Sequence, residues 1–396
     1  MKKLSIFAVV VLVACSREPL AHAQTALEHH EIRADQLPAP FATRSAVNPP
    51  RVASETPRLI VPPAFEISVF ASGLDDPRHM LETPNGDVLL SEPGAGKITI
   101  LRNNNKYTFI SGLNDPYGLA IRDGFLYIGD EDGIVRVPYT TGATKAASAP
   151  QRITPLPSGG HSTRGIVFNH DGSKAYISVG SASNVSAGEP PERAAILEMN
   201  PDGSAKRVFA SGLRNPVGMA WNPANGTLWT AVNERDGLGD NLVPDYITEV
   251  RAGAFYGWPY AYIGRHEDPR RKGERPDLVA RATVPSLLIQ SHSAPLGIAF
   301  YEGKMFPDAY RGSAFVALHG SWNRSPRTGY KVIRVPFRNG QPSGGYDDFV
   351  VGWMTDANAR SVSGRPVDLL VLHDGSLLIS DDGAEKIWRV TYRSAR

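Results

Sequence analysis

A single turn is written six times along this chain, and few folds accommodate such a pattern. Residues 110–121 read ISGLNDPYGLAI and residues 210–221 read ASGLRNPVGMAW, sharing the frame S-G-L-x-x-P-x-G-[LM]-A. Weaker copies are SGLDDPRHML at 72–81, GGHSTRGIVF at 159–168, HSAPLGIAF at 292–300 and SGRPVDLLV at 363–371. Each copy leads into a turn and a second short apolar strand, as in PNGDVLLSEP, RDGFLYIGDED and HDGSLLISDDG. A third strand follows in every unit (KITILR, IVRVPY, AILEMN, YITEVR, YKVIRV, KIWRVTY), and fourth strands such as KYTFISG and KRVFASG precede the next copy. Self-similarity on this scale marks a repeat architecture. Six units of four antiparallel strands specify an all-β fold, a six-bladed β-propeller. The leading strand FEISVFASG at 65–73 has no earlier partner, so it is expected to complete the last blade beside KIWRVTY, closing the ring and hiding two sheet edges.

Composition agrees with this reading. The 38 Gly and 32 Pro among 396 residues suit a chain of many turns, and long helical periodicity is missing. A chain 41% hydrophobic and 21% charged is ordinary globular material, and a formal net charge of +2 gives no support to a nucleic-acid partner.

The propeller geometry gives the repeated turn a use. The turn entering the innermost strand of each blade lies at one mouth of the central channel, so six such turns converge there. Gly and Pro of the frame set backbone shape, since Gly supplies positive φ and Pro a fixed one. The two residues ahead of the Pro position are left to carry chemistry. They are Asp75-Asp76, Asn114-Asp115, His161-Ser162, Arg214-Asn215, Ser293-Ala294 and Gly364-Arg365. Asp and Asn are common turn formers, so the first two pairs read as structural. His161, Arg214 and Arg365 are not preferred turn residues. A histidine beside two guanidinium groups suits a general base near an anionic ligand, the alternative being a solvated basic mouth.

One loop stands apart, VNERDGLGDNLVPDYITEV at 232–250, which holds Glu234, Asp236, Asp240 and Asp245 among glycines. Hard oxygen ligands of this kind suit Ca²⁺, and a solvated acidic loop is the alternative. Other motifs fail. GAGKI at 94–98 lacks the first Gly and the Ser or Thr of a phosphate loop, and neither G-x-S-x-G nor H-E-x-x-H occurs.

The N-terminus reads as a targeting segment. MKK is a basic start, and LSIFAVVVLVA is an apolar run too short to span a bilayer and remain there. Within residues 1–23, Leu12-Val13-Ala14-Cys15 has the form of a bacterial lipobox, while Ala21-His22-Ala23 is a small-x-small cleavage site. Cys15 is the single cysteine, and its place in the lipobox favours lipid modification. The expectation is an exported, periplasmic protein, membrane-attached only through a lipid on Cys15. Residues 24–60, rich in Pro and Ala without periodicity, read as a tether or disordered arm, with the propeller over 61–396.

Several of these stretches together resemble a known family. GLRNPVGMAW, NERDGLGDNLVPDY and GAFYGWPY, with GGHSTRGIVF, HGSWNRSPRTGYKVIRV and GRPVDLLVLHDG, occur in order over residues 65–393 and are similar to the glucose/sorbosone dehydrogenases, six-bladed propellers that use pyrroloquinoline quinone (PQQ) and Ca²⁺. The resemblance implies that His161 is the catalytic base taking the proton of a sugar C1 hydroxyl. It implies that Arg214 and Asn215 contact PQQ, that Arg365 faces the cofactor, and that Arg324 is a further basic contact. It assigns Ca²⁺ to main-chain carbonyls around Gly237 and Leu238. The implied substrate is an aldose or a sorbosone-like aldehyde, and the implied acceptor is a respiratory quinone or cytochrome. Two positions depart from the family pattern: Val217 replaces a usual glutamine, and Val367 stands where a second arginine often follows. Two rivals remain at this point. A lactonase-like hydrolase would need Asp76, Asp115 and Glu234 to dominate the channel, and a propeller could also serve as a non-catalytic binding module.

Overall fold

The computed structural model describes residues 27–393; the proposed signal segment, Cys15 and the Ala23 cleavage site lie outside the described residues. Six antiparallel sheets form the propeller anticipated from the repeats. Blade 1 comprises strands Met80–Glu82, Val88–Glu92, Lys97–Arg102 and Asn105–Ser111. Blade 2 comprises Leu119–Arg122, Phe125–Asp130, Gly133–Pro138 and Gln151–Pro155. Blade 3 comprises Ile166–Phe168, Ala175–Val179, Ala195–Met199 and Arg207–Ser211. Blade 4 comprises Asn215–Trp221, Leu228–Asn233, Asp245–Glu249 and Leu287–Ile289. Blade 5 comprises Pro295–Phe300, Ala314–Leu318, Lys331–Val335 and Tyr346–Val350. Blade 6 comprises Pro366–Val371, Leu377–Asp381 and Lys386–Tyr392, and the early strand Phe65–Ser72 completes it by pairing with Lys386–Tyr392.

Because side chains alternate across a strand, each central strand serves two blade interfaces at once. Leu228 and Val232 pack toward blade 3 with Tyr176 and Ile196, whereas Trp229 and Ala231 pack toward blade 5 with Ile298 and Val316. The core is therefore a ring of sandwiched apolar layers around the channel.

The two glycines of the frame act differently. The first takes positive φ, as at Gly73 (64°), Gly112 (79°) and Gly212 (74°). The second is required because neighbouring blades touch there. A Cβ on Gly118 would lie 2.5 Å from the Arg164 carbonyl, one on Gly165 2.7 Å from that of Val217, and one on Gly218 2.4 Å from that of Leu296. In blades 1 and 6 this frame position is His79 and Asp368, and these two pair across the remaining seam (Nδ1 to Oδ2, 3.0 Å). Ahead of this position stand Tyr117, Val217, Leu296 and Val367, which gather into an apolar plug in the channel.

The segment expected to be a tether or disordered arm is instead laid along the propeller from residue 27 onward. His29–His30 adds a fifth strand to blade 5, pairing with Tyr346–Val350. The Phe41 N–H then donates to the Leu238 carbonyl (2.7 Å), and the Arg44 carbonyl accepts the Asp240 N–H (2.9 Å). Further on, the Asn48 N–H donates to the Trp322 carbonyl (2.6 Å), and Arg51–Val52 pairs in parallel with Ser361–Val362. A sequence without hydrophobic period thus finds its order by satisfying backbone groups of loops far away in the chain.

Candidate active site

The turns entering the inner strands are held by acids at the ends of the second strands. Glu92 accepts the Asp75 N–H (2.7 Å), and Asp381 accepts the Arg365 N–H (2.7 Å). At the mouth thus formed, His161, Arg214, Asn215 and Arg365 border one cavity of about 220 Å³. His161, Arg214 and Arg365, singled out by register, and Asn215, implied by the resemblance, therefore share one site. Asp76 and Asp115 serve the turns instead: both adopt positive φ (54° and 52°), which Asp tolerates, and Asp76 pairs with Arg78. Of the three acids named for a hydrolase, Asp76 and Asp115 do not border the cavity and Glu234 does, beside Asp236 and Asp245.

His161 is set with some care. Its Nδ1 lies 2.7 Å from the Ser181 carbonyl oxygen, which only accepts, so Nδ1 carries the proton and Nε2 keeps a lone pair. Ser181 in turn donates its N–H to the Arg214 carbonyl (2.8 Å), locking the turns of blades 3 and 4 together. Burial, reinforced by the Arg214 charge, pushes the His161 pKa down to about 4, so the imidazole is neutral at pH 7.

Arg214 donates Nη1 to the Glu234 carbonyl (3.0 Å) and Nη2 to Asp236 (3.3 Å), leaving the buried Nε without a partner. The Oδ1 of Asn215 is likewise buried and unpartnered. Asp236 is fixed by Asn184, whose side-chain amide accepts its N–H (2.8 Å) and donates to its carbonyl (2.9 Å). Burial works against the Asp236 charge, but His292 and Arg214 prevail and hold its pKa below the usual range. Burial raises Glu234 to about 8 and Asp245 to about 6, so Glu234 is mostly protonated at neutral pH. Trp322, 46% exposed, presents an open ring at the rim.

These features fit PQQ as a bound group. A planar molecule with three carboxylates would meet the Arg214 and Arg365 guanidinium groups, and Arg214 Nε and Asn215 stand there with unmet hydrogen-bonding capacity. One assignment is corrected. Arg324 is turned away from the cavity, donating to the Asp240 carbonyl (2.8 Å), Asn241 (2.7 Å) and the Pro326 carbonyl (2.9 Å), and it holds loops together. Gly237 and Leu238 do not border the cavity either. The Leu238 carbonyl accepts the Phe41 N–H, and the next two carbonyls are engaged by His292 and Arg324. The carbonyls of Leu238, Gly239 and Asp240 thus each accept a hydrogen bond within the protein. Val217 and Val367, the two departures from the family pattern, belong to the plug, outside the cavity lining.

The structure also adds residues that the reading of the turns missed. His292, His319, Trp322 and Asn323 border the same cavity. A signal was available: His319 directly follows the second strand of blade 5, the register that Glu234 and Ser181 occupy near the corresponding strand ends of blades 4 and 3. The turns after second strands face the same mouth as the turns before first strands.

Comparison with known proteins agrees with this geometry. The family model described as Glucose / Sorbosone dehydrogenase matches residues 150–321, and one described as TrAA12-like matches residues 272–393. An uncharacterized protein of Borreliella burgdorferi is 30% identical over 85% of this chain and 92% of its own length. A pyrroloquinoline quinone-dependent pyranose dehydrogenase of Coprinopsis cinerea is 34% identical, over 28% of this chain and 16% of its own length. The solved holo form of the PQQ domain of a pyranose dehydrogenase from Coprinopsis cinerea superposes with a TM-score of 0.72 at 22% identity, covering 87% of this chain and 100% of that one. The ordered motifs, the blade count and the family match agree: the chain belongs to the glucose/sorbosone dehydrogenase family.

Proposed function

We propose that the protein oxidises an aldose sugar, or a sorbosone-like aldehyde, with PQQ as the electron-accepting cofactor and His161 as the base. The observation that carries this reading is the His161 tautomer: its proton is committed to Ser181, and a neutral Nε2 lone pair remains at a cavity bordered by Arg214, Asn215 and Arg365. Bound PQQ would supply the hydride acceptor that no side chain offers. The protein's own part is then electrostatic and positional. Arg214 and Arg365 counter the cofactor's carboxylates, Asn215 fixes its orientation, and His161 Nε2 takes the hydroxyl proton. The signal segment supports export to the periplasm, with Cys15 as the lipid attachment, and electrons leaving to a respiratory quinone or cytochrome.

The test is PQQ titration into the apoprotein, with and without Ca²⁺, followed by dye reduction with a panel of aldoses and sorbosone. Binding and turnover in the wild type, with binding but no turnover in His161→Ala, is the expected result. Wild type that binds no PQQ at micromolar concentration would refute the reading and leave the non-catalytic propeller. The arm that includes Ca²⁺ decides whether a cation joins the cofactor.

A further inference from the structure

The cavity contains a second imidazole in the complementary tautomer. His319 Nε2 lies 3.0 and 2.8 Å from the two oxygens of Asp382, and Arg78 Nη2 holds the same carboxylate from blade 1 (3.0 Å). A ring nitrogen facing a carboxylate bears the proton, so neutral His319 carries it on Nε2 and keeps the lone pair on Nδ1. Arg365 fixes the backbone beneath the ring, donating Nε to the His319 carbonyl (3.3 Å) and Nη2 to that of Gly320 (3.2 Å). The His319 and Asp382 side chains are only 12% and 8% exposed. Asp382, Arg365 and Arg78 are the charged groups facing His319; burial lowers its pKa to about 4 despite Asp382, with Arg365 and Arg78 acting in the same sense as burial.

The stoichiometry of the reaction leaves a task for such a group. Oxidation of a CH–OH carbon to C=O removes two electrons and two protons. One proton goes to the base, and the other travels with the electron pair as hydride. When an external acceptor that takes electrons without protons, such as a cytochrome, removes the two electrons, that second proton is set free. His161 can hold one proton. We propose that His319, positioned by Asp382, is the second proton acceptor of this pocket and takes the proton released on re-oxidation. This inference rests on the dehydrogenase reading above. It assigns the two half-reactions to different histidines, His161 to substrate oxidation and His319 to cofactor re-oxidation.

Two measurements test it. Nitrogen NMR of apoprotein carrying ¹⁵N-histidine, with His319 assigned by His319→Gln, is expected to show a neutral ring with the proton on Nε2 at pH 7; an imidazolium, or a proton on Nδ1, overturns the inference. Rapid mixing of PQQ-loaded enzyme then separates the half-reactions. His319→Gln is expected to slow re-oxidation roughly 100-fold more than it slows substrate oxidation, the range of general acid–base effects. Asp382→Asn, which keeps the side-chain shape should the first variant fold poorly, is expected to slow the same step and move its pH profile. Re-oxidation at the wild-type rate in both variants, on protein that binds PQQ and oxidises sugar, sinks this inference alone. Failure of the wild type to bind PQQ removes the dehydrogenase reading and this assignment with it.

Discussion

His161→Asn tests the electrostatics of the site without any cofactor. An asparagine amide nitrogen occupies nearly the place of Nδ1, so it can still donate to the Ser181 carbonyl, now 2.7 Å from the ring. What the substitution removes is a titrating group. In the folded protein burial and then Arg214 hold the His161 pKa at about 4, against 6.5 for an ordinary histidine. Between those values the unfolded chain binds a proton that the folded protein refuses, so stability falls as pH falls. Above pH 6.5 the penalty is absent, and below about 4 it is complete. Each pH unit in that window is worth about 1.4 kcal/mol, so the wild type loses at most about 2 kcal/mol at pH 5 through this one group. The variant should lose that much less between pH 7 and pH 5, measured as the difference in urea midpoints at the two pH values. Other titrating groups are shared and cancel in the comparison. Equal pH dependence of the two proteins would refute the argument, as would a His161 pKa near 6.5 by NMR. Either result would mean that water reaches the imidazole freely.

Three further outcomes are expected. Gly218→Ala places a Cβ 2.4 Å from the Leu296 carbonyl and 2.9 Å from the Ile298 nitrogen, main-chain atoms that no rotamer change can move, and should cost about 1–3 kcal/mol or more in denaturant unfolding; unchanged stability would remove the close-approach account of the repeated glycine. Burial opposes charge on His79, but Asp368 prevails and raises its pKa, so the seam pair stabilises fully below about pH 6.5 and weakens as pH rises through the folded value. Asp368→Asn should therefore destabilise more at pH 6 than at pH 9, and the reverse order would contradict the pairing. Asn48→Ala deprives the buried Arg327 guanidinium of its 2.8 Å side-chain acceptor, for a cost of about 1–3 kcal/mol, and should speed hydrogen exchange over residues 319–328; exchange as slow as in the wild type would show that the arm does not brace that loop.

Much of this protein can be read from its sequence because the repeat does the geometric work. Strands recur in fixed order, so the blade count, the closure by Phe65–Ser72 and the meeting of His161, Arg214, Asn215 and Arg365 at one mouth follow from register alone. Each of those residues is placed by its own local turn, and the ring symmetry brings the turns together. Contacts between segments hundreds of residues apart have no such code. The apparently shapeless stretch before residue 60 binds loops near 238, 322 and 361 through backbone donors and acceptors, which every residue carries and no composition reveals. Arg324 looked like a site residue because it sits in the right motif, yet its guanidinium is committed to holding the folded loops to one another. The tautomer of His319 became legible only beside Asp382, 63 positions later, since the tautomer of a histidine is decided by its partner. The sequence determined which residues could reach the mouth, while the closed ring decided which of them are still free to act there.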